Sequence, residues 1–378
     1  MGKFDDMIYK LQQDTEIPEQ VWEKYTKTLS KLPDKPRERS AYTVSKKRIW
    51  PAAAAMLAIG TISISAAAHL QWSRGLEEGL QVTPRQRQEL EDTQMASFVE
   101  QSVTQGEVTV TAKQSIVDNH FAYLSFKVEG YKIENGIEPG FSNVNVTVGE
   151  GEKYFRGYNA SFYDRRIQGT DGTPSTEDEK ANYIMEDGSL EFQIMLLADK
   201  DGYFVDKPVH VELKDLGSYK KKAGDIAVDA EGNWNFDWVL TGSTEVEKYV
   251  LNTFLEGSGA AVLEAEMSPI SISVTYDCPR QEETETAIDE NGEEFEHTVY
   301  KEPPYFAGVR MKDGTMYTGI SKGGMGGYSG KNSDVYKFKT AFARTIDVDQ
   351  VESLLFIKSY PEGEQPLTEE HLYAVPVR

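Results

Sequence analysis

The sequence predicts a mainly β protein, in which two antiparallel β-sandwich domains follow one membrane-spanning helix and a short helical tail. Three observations support this fold class. An uncharged run of 22 residues occupies positions 49–70. From Gly106 onwards, apolar residues alternate with polar ones. Gly, Asn and Asp separate these alternating segments at regular intervals, as in antiparallel sandwiches.

The sequence of the N-terminal tail, residues 1–48, predicts two helices. The first covers about residues 4–13, where apolar residues recur at helical spacing. The second starts with Pro18 in its first turn and ends at Leu32, because Pro33 cannot continue a helix. One face of the second helix carries an apolar stripe formed by Val21, Trp22, Tyr25 and Leu29.

This stripe has two interpretations. A free helix of about 14 residues is marginal in water, so its apolar face needs something to pack against. The two tail helices could pack on each other or lie on the membrane surface. Alternatively, the stripe docks onto a cytoplasmic partner, which makes Val21, Trp22, Tyr25 and Leu29 the candidate partner-binding residues.

Residues 49–70 are predicted to span the membrane. A helix of this length reaches roughly 33 Å, which exceeds the hydrocarbon thickness of about 30 Å. The basic triplet at 46–48 stands directly before it. One alternative is a buried helix of a soluble protein. In such a helix, a basic triplet followed directly by so long an uncharged run would not be expected. A signal peptide cleaved at Ala66–Ala68 is the other alternative, but about 48 residues precede the run.

The charge distribution predicts the orientation of this helix. The chain has a net charge of −22, with 40 Lys and Arg against 62 Asp and Glu. Residues 1–48 carry 11 basic and 8 acidic side chains, a net of +3, whereas the remainder carries a net of −25. Basic residues are retained in the cytoplasm. The tail is therefore expected inside the cell, and the C-terminal region is expected outside it.

Residues 71–104 are predicted to form a helical stem. Trp72 suits a membrane interface. Thr83 followed by Pro84 is typical of a helix N-cap with proline at the first helical position. Leu90, Met95, Phe98 and Val99 give an imperfect helical stripe, which predicts a helix up to about Phe98.

Two sets of strands are predicted beyond the stem, in a first domain at 105–242 and a second at 243–378. The first set, which includes a turn at 117–120, comprises 108–112, 121–128, 144–148, 190–197, 209–213 and 234–240. The second comprises 248–253, 260–266, 270–276, 298–300, 308–311, 335–343, 353–357 and 372–377. An acidic excursion between Pro279 and Glu296 predicts a hairpin tip at 290–292.

No pattern of residues predicts an enzyme, a cofactor or a metal site. The five His residues have no metal-ligand spacing, and common hydrolase motifs are absent. The glycine-rich stretch at 321–330 lacks the spacing of a P-loop and is expected to be a loop between strands. Asp199 and Asp201 with Gly202 match only part of a calcium loop, so an ordinary turn is expected.

Charge and cysteine content exclude further classes. An outer region with a net charge of −25 disfavours nucleic-acid binding, since phosphate contacts need clustered Lys and Arg. The single Cys278 excludes an intramolecular disulfide, so core burial alone is expected to stabilise the outer domains.

Several segments occur together in one known family. They are Ile17-Pro18-Glu19, Trp72-Ser73-Arg74-Gly75-Leu76-Glu77-Glu78-Gly79-Leu80, Gln101-Ser102-Val103-Thr104, Ser115-Ile116-Val117-Asp118-Asn119 and Tyr123-Leu124-Ser125-Phe126. With the basic-flanked anchor, they resemble the domain-of-unknown-function family 4179, single-span proteins of monoderm bacteria, most strongly over residues 40–215. The segment Glu266-Met267-Ser268-Pro269-Ile270-Ser271-Ile272 is similar to the immunoglobulin-like domain that often follows in that family.

The resemblance implies two immunoglobulin-like sandwiches outside the membrane. Some family members are regarded as anti-sigma factors because of their architecture and their pairing with extracytoplasmic-function sigma factors. The tail here has neither Cys nor His, so it lacks the zinc motif of one anti-sigma class.

The leading hypothesis is a single-pass regulator that holds a sigma factor inside and senses an unknown extracellular ligand outside. The alternative is a surface binding or adhesion module whose tail serves only as an anchor.

Overall fold

The computed structural model describes residues 71–134, 136–149, 155–173, 181–220, 225–288, 294–330, 333–361 and 365–377. The predicted tail helices, the stripe of Val21, Trp22, Tyr25 and Leu29, and the predicted anchor lie outside these residues. Among the helices that are described, none combines the length and the apolar composition needed to cross a membrane. Residues 71–378 group into one compact unit.

The described part of the chain is mainly β, as predicted, and begins with two short helices, α1 (Arg74–Gly79) and α2 (Pro84–Asp92). The first group of strands is β1 (Ala96–Gln105), β2 (Val108–Val117), β3 (Phe121–Glu129), β4 (Pro139–Val148), β5 (Phe155–Phe162), β6 (Leu190–Ala198), β7 (Lys207–Tyr219) and β8 (Ile226–Leu240). They form one sheet in the order β1-β2-β3-β6-β5 and a second in the order β4-β7-β8.

The second group of strands within the described residues forms two sheets and a separate hairpin. Its members are β9 (Glu247–Leu255), β10 (Ala260–Met267), β11 (Ser271–Asp277), β12 (Glu282–Ile288), β13 (Glu294–Tyr300), β14 (Phe306–Met311), β15 (Met316–Thr318), β16 (Ser321–Tyr328), β17 (Val335–Phe342), β18 (Val351–Ile357) and β19 (Leu372–Pro376). The sheet orders are β16-β17-β11-β10-β9 and β15-β14-β18-β19, and β12 pairs with β13. Short 3-10 turns occupy Val348–Gln350 and Glu369–His371.

Each pair of sheets encloses an aromatic core. In the first sandwich, Phe141 from the three-stranded sheet contacts Phe192 of the facing sheet, with ring centroids 5.0 Å apart. In the second, Tyr276 lies 5.8 Å from Phe356 across the sandwich. Phe192 and Tyr276 each stand between two polar residues, which is why a period of two predicted their strands correctly.

A third core lies on the outer face of the five-stranded sheet β1-β2-β3-β6-β5. The stem contributes Trp72, Leu76, Leu80, Val82, Leu90 and Met95 to it. The sheet contributes Ile116, Phe121, Tyr123 and Met195, and the second sandwich contributes Ile270 and Ala341. These side chains shield part of the outer face of the sheet from solvent. The stem and both sandwiches therefore share one apolar core.

The predicted helix up to Phe98 is wrong at its C-terminal end. Helix α2 starts as predicted, with Thr83 as N-cap and Pro84 in the first turn, but it ends at Asp92. Residues 96–105 form the edge strand β1, which belongs to the first sandwich and not to a helical stem. Strand β1 is bulged between Phe98 and Gln101, with Glu100 at a positive φ, so its alternation is broken.

The glycine-rich stretch was also predicted wrongly, since it forms the edge strand β16 and not a loop. Its glycines are explained by close packing. A Cβ atom at Gly324 would collide with the carbonyl oxygen of Lys339, and one at Gly326 would collide with the Tyr336 hydroxyl. Small residues here allow the neighbouring strand β17 and its side chains to approach the backbone closely.

In the acidic excursion β12 and β13 pair in register, from Glu282 with Tyr300 to Ile288 with Glu294, and the predicted tip at 290–292 lies outside the described residues. Between the two sandwiches, β8 ends at Leu240 and β9 begins at Glu247. The predicted domain boundary at 242/243 falls in this connection and stays a prediction.

Candidate functional site

Three of the sequence segments that carry the family resemblance meet where the stem and the two sandwiches pack together. We call this region the junction, defined by α1, the β2–β3 turn at residues 118–120, strand β6 and the β10–β11 turn at residues 268–270. Two buried carboxylates, Glu191 and Asp118, lie at its centre. The geometry around each of them explains how the segments are joined.

Glu191 lies on β6 and binds the N-terminus of α1. Its Oε1 atom accepts hydrogen bonds from the hydroxyls of Ser73 and, at 2.9 Å, Ser125. Its Oε2 atom accepts one from the backbone N–H of Gly75 at 2.7 Å. The first N–H groups of a helix have no partner within the helix, so a carboxylate placed here satisfies them and offsets its own burial. The stem is thereby fixed to the sheet.

A glycine fits at position 75 because neighbouring side chains leave no room for a Cβ atom, and not because the backbone there has a positive φ. A Cβ atom there would lie 2.6 Å from Glu191 Cδ and 2.9 Å from Gln193 Nε2. The neighbouring backbone N–H of Ser73 donates to the side-chain oxygen of Gln114 at 3.0 Å. The segment Ser73-Arg74-Gly75 is therefore shaped to the polar groups on the outer face of the five-stranded sheet.

Trp72 starts the stem and is buried rather than exposed at its surface. Its indole N–H donates to Glu91 of α2 at 2.5 Å, and the Arg87 guanidinium lies 5.4 Å from its ring centre. These contacts pack α1 against α2. A Trp in this position was interpreted from sequence as a residue for a membrane interface, and within the described residues it serves the protein's own core.

Asp118 joins the first sandwich to the second. Its Oδ1 atom accepts hydrogen bonds from the backbone N–H groups of His120 and Phe121, both at 2.7 Å. Its Oδ2 atom accepts from the hydroxyls of Ser268 and Ser271 in the second sandwich. A buried carboxylate is tolerated only when such donors compensate for its lost hydration. Asp118 thus closes its own turn and binds the second sandwich.

A second polar contact between the sandwiches surrounds Asp201. The ammonium group of Lys339 on β17 forms an ion pair with Asp201 and donates to the carbonyl of Asp199 at 2.8 Å. Nδ1 of the fully buried His120 lies 3.4 Å from Asp201 Oδ1. The nearby His120 and the Lys339 ammonium lower the pKa of Asp201. Residues 199–202 form the ordinary turn that the sequence predicted, and the carboxylates of Asp201 and Asp199 are paired with Lys339 and Arg156.

Further contacts extend the junction along the stem. The Tyr123 hydroxyl donates to the carbonyl of Phe342 at 2.9 Å, and its burial raises the pKa of the phenol. The backbone N–H of Thr345 donates to the carbonyl of Leu80 at 2.7 Å. Arg85 forms an ion pair with Asp347 at 3.3 Å. The second sandwich is therefore bonded directly to the stem as well as to the first sandwich.

The two central carboxylates of the junction, Glu191 and Asp118, each accept hydrogen bonds from several donors. Within the described ranges, no group of three or more His, Cys, Asp or Glu side chains could hold a metal ion. Cys278 lies in the second core, where burial raises the pKa of its thiol and the oxygen of the Tyr328 hydroxyl lies 3.7 Å from Sγ.

Sequence reasoning missed Glu191 and Lys339 as residues of the junction. One signal for Glu191 was available: it is a lone acid in the strand LEFQIMLLA, whose other residues are mostly apolar. An isolated carboxylate in such a strand needs a specific partner. Lys339 carries no comparable signal, because its segment also reads as an ordinary alternating strand.

Comparison with known proteins gives little to add to this geometry. No family model matches the chain, and no curated protein matches it. A structure described as the crystal structure of the conserved domain protein from Bacillus anthracis is similar over 76% of this chain and 91% of its own, at 11% identity and a TM-score of 0.36. A TM-score of this size does not indicate a shared fold.

Proposed function

We propose that this protein is a single-pass membrane regulator of the domain-of-unknown-function family 4179 type. In this proposal residues 49–70 span the membrane, and the two sandwiches, with an immunoglobulin-like second domain, lie outside and sense an envelope signal. The tail stripe of Val21, Trp22, Tyr25 and Leu29 holds a sigma factor in the cytoplasm.

The observation that supports this proposal most is the way in which the stem is built into the junction. Ser73 stands three residues after the predicted anchor, and its hydroxyl is already bonded to Glu191. The third core then joins the stem to both sandwiches. A rearrangement of the outer domains would therefore displace residue 71, whereas a simple tether would leave a flexible linker before the first folded element.

Partner capture by the tail tests the proposal. The full-length chain, purified from membranes of its own cells, is expected to carry a sigma factor. Changing Trp22→Ala together with Tyr25→Ala removes the apolar stripe and should abolish that co-purification. Glu23→Ala with Lys24→Ala changes the same predicted helix away from the stripe and should preserve it. Loss of the partner in both variants, or no specific partner with the unchanged chain, would contradict the proposal.

A second candidate is a surface binding module whose tail is only an anchor. The observation that favours it is the number of large apolar side chains exposed on the second sandwich, among them Tyr360, Ile288 and Phe254. In that case deletion of residues 4–32 leaves function intact. The same deletion removes function if the tail holds the partner, so one variant separates the two candidates.

A further inference from the structure

The second sandwich has two ends with different surfaces. One end, with the β10–β11 turn at residues 268–270 and the end of β17, faces the junction. The opposite end carries the β9–β10 turn, the start of β14 and the end of β18. We call it the distal end, because its strands run away from the contacts with the stem.

The distal end is rich in exposed apolar side chains. Within the described residues, four aromatic rings at or next to its strand ends are at least 44% exposed: Phe254 at 62%, Tyr300 at 44%, Tyr305 at 44% and Tyr360 at 75%. Single exposed apolar residues are ordinary, but a concentration of large ones at one end of a domain marks an interaction surface. Tyrosine suits such a surface, since its ring is apolar and its hydroxyl stays hydrated.

A cleft of about 470 Å³ opens at the distal end, and two of these exposed rings, Tyr305 and Tyr360, line it. This volume falls in the range of small-molecule binding sites. Tyr305, Tyr360 and Tyr373 contribute to its lining, and Lys301 and Lys358 add ammonium groups to it. The cleft between Arg156 and Lys339 is similar in volume, but Arg156 and Lys339 are already paired with Asp199 and Asp201.

The wall of the distal cleft formed by residues 301–305 is fixed from behind by three tyrosine hydroxyls. Tyr328 donates to the carbonyl of Lys301 at 3.0 Å, and Tyr276 donates to the carbonyl of Pro304 at 3.2 Å. Tyr336 donates to the Glu302 carboxylate at 2.9 Å. On the opposite wall the Tyr373 hydroxyl donates to the carbonyl of Glu256 at 2.6 Å. The cleft is therefore preformed, which reduces the entropy lost on binding.

Two ammonium groups and one hydroxyl of the cleft are exposed to a ligand. Lys301 and Lys358 are exposed, and neither forms an ion pair within the described residues. Ser359 is exposed beside them. The cleft thus combines broad ring faces with separate hydrogen-bond donors around its rim.

We propose that the distal cleft binds a glycan, a chain of pyranose rings with few or no charges. The C–H faces of such rings pack on tyrosine rings, and their equatorial hydroxyls accept hydrogen bonds from ammonium and hydroxyl groups at the rim. The acidic hairpin β12–β13, with exposed Glu282 and Glu283 at its base, disfavours a highly anionic polymer nearby.

A proline-rich peptide is the main competitor for an aromatic cleft. Such peptides bind between closely spaced aromatic rings. Among the described residues, Tyr305 packs on Phe338 at 4.8 Å, behind the cleft, and does not pair with the ring of Tyr360 or Tyr373. Aromatic rings that stand apart can each pack on a different sugar unit of a glycan. A polyproline helix instead needs two rings close together.

The test uses the full chain in lipid nanodiscs, with binding measured by isothermal titration calorimetry and ligand-observed NMR. Chitohexaose and cellohexaose are the glycan probes, which separate an N-acetylated wall glycan from an unmodified one. A nonameric proline-rich peptide is the competitor. Binding of either hexasaccharide supports the proposal, and its preference identifies the source. No binding of either at millimolar concentration, or binding of the peptide alone, overturns it.

Variants locate the binding. Tyr360→Ala is expected to weaken glycan binding by about tenfold, as for truncation of an aromatic hot spot, without affecting folding because the side chain is 75% exposed. Tyr360→Trp keeps a ring face and should retain binding. Tyr219→Ala, at a ring that is 43% exposed on the first sandwich, is the matched control. Equal loss in Tyr360→Ala and Tyr219→Ala, or no loss in Tyr360→Ala, would place the glycan elsewhere and contradict the proposal.

This inference rests on the proposed function only for the location of the cleft outside the membrane. The two fail separately, because capture of a sigma factor by the tail is measured without any glycan. If the tail captured no sigma factor, glycan binding by the distal cleft could still be measured and would still support or contradict the inference.

Discussion

At the scale of single residues, Glu191 and Asp118 determine how the molecule is joined. Both are buried, and both accept hydrogen bonds from segments distant in sequence. A buried carboxylate without donors costs several kcal/mol, so the surrounding hydroxyls and N–H groups are necessary to the fold. Gly75 provides the space that one of these carboxylates needs.

Changing Gly75→Ala should destabilise the protein by about 1–3 kcal/mol, since the added methyl group would force Glu191 and Gln193 to move. The measurement is urea unfolding of the purified chain. Gly327→Ala is the matched control, because a Cβ atom there meets nothing within 4 Å, and it should change stability little. Equal stability of the two variants would contradict the role of Gly75.

Asp187 is expected to add to stability only above acidic pH. Partial burial raises the pKa of Asp187, but hydrogen bonds from Ser189 and the Lys127 ammonium outweigh it and hold the pKa at about 2, below the ordinary 3.8. A carboxyl group with a lowered pKa in the folded state stabilises the fold above its unfolded pKa, and this contribution is lost as pH falls through the folded value.

The unfolding midpoint of the unchanged chain should therefore fall more steeply between about pH 4 and pH 2 than that of Asp187→Asn. The effect is expected to be small, because the side chain is 51% exposed and solvent screens its ion pair. Thermal unfolding at several pH values measures it. Identical slopes for the two proteins would show that the Asp187 interactions do not contribute.

At the scale of elements, the stem is a pair of short helices whose ends are capped and whose apolar faces are buried. Thr83 and Gln86 bond each other's backbone N–H groups at the start of α2, and Leu90 in the same helix is fully buried. A nine-residue helix is not stable alone, so α2 depends on both the cap and the third core.

Thr83→Ala should cost about 1 kcal/mol, because it leaves a helix N–H without its partner. Amide hydrogen exchange in α2 and the urea midpoint measure the effect. Thr298→Ala, at an exposed position of β13, serves as the control and should change stability by only a few tenths of a kcal/mol. Unchanged exchange in α2 after Thr83→Ala would show that packing alone fixes the helix.

At the scale of the whole molecule, residues 71–378 are expected to unfold in one cooperative transition, since the third core belongs to the stem and to both sandwiches. Calorimetry of the purified chain tests this. Asp118→Ala removes the carboxylate that bonds Ser268 and Ser271, and should cost about 2–3 kcal/mol and separate the sandwiches into two transitions.

Asp237→Ala is the control for that experiment, since Asp237 is exposed and, among the described residues, its side chain bonds to His210 of the neighbouring strand. It should leave the single transition intact. Two transitions in the unchanged chain, or no effect of Asp118→Ala, would show that the junction does not couple the domains.

The amino-acid sequence by itself determined the mainly β class, most strand positions, the turn at 117–120, the start of α2 and the acidic hairpin. These features depend on local signals, namely alternation, turn residues and a helix cap, which act over a few residues. Where the local signal was broken by a bulge in β1 or by glycines in β16, prediction failed.

Only the tertiary structure decided what the resemblance segments do. Ser73 and Glu191 are 118 positions apart in the chain, and Asp118 and Ser268 are 150 apart, yet each pair shares a hydrogen bond. Such bonds form because burying the outer face of one sheet brings the stem and the second sandwich together, and only then do these carboxylates lose water and need these donors. A pattern read along the chain carries no information about which distant hydroxyl will be the donor.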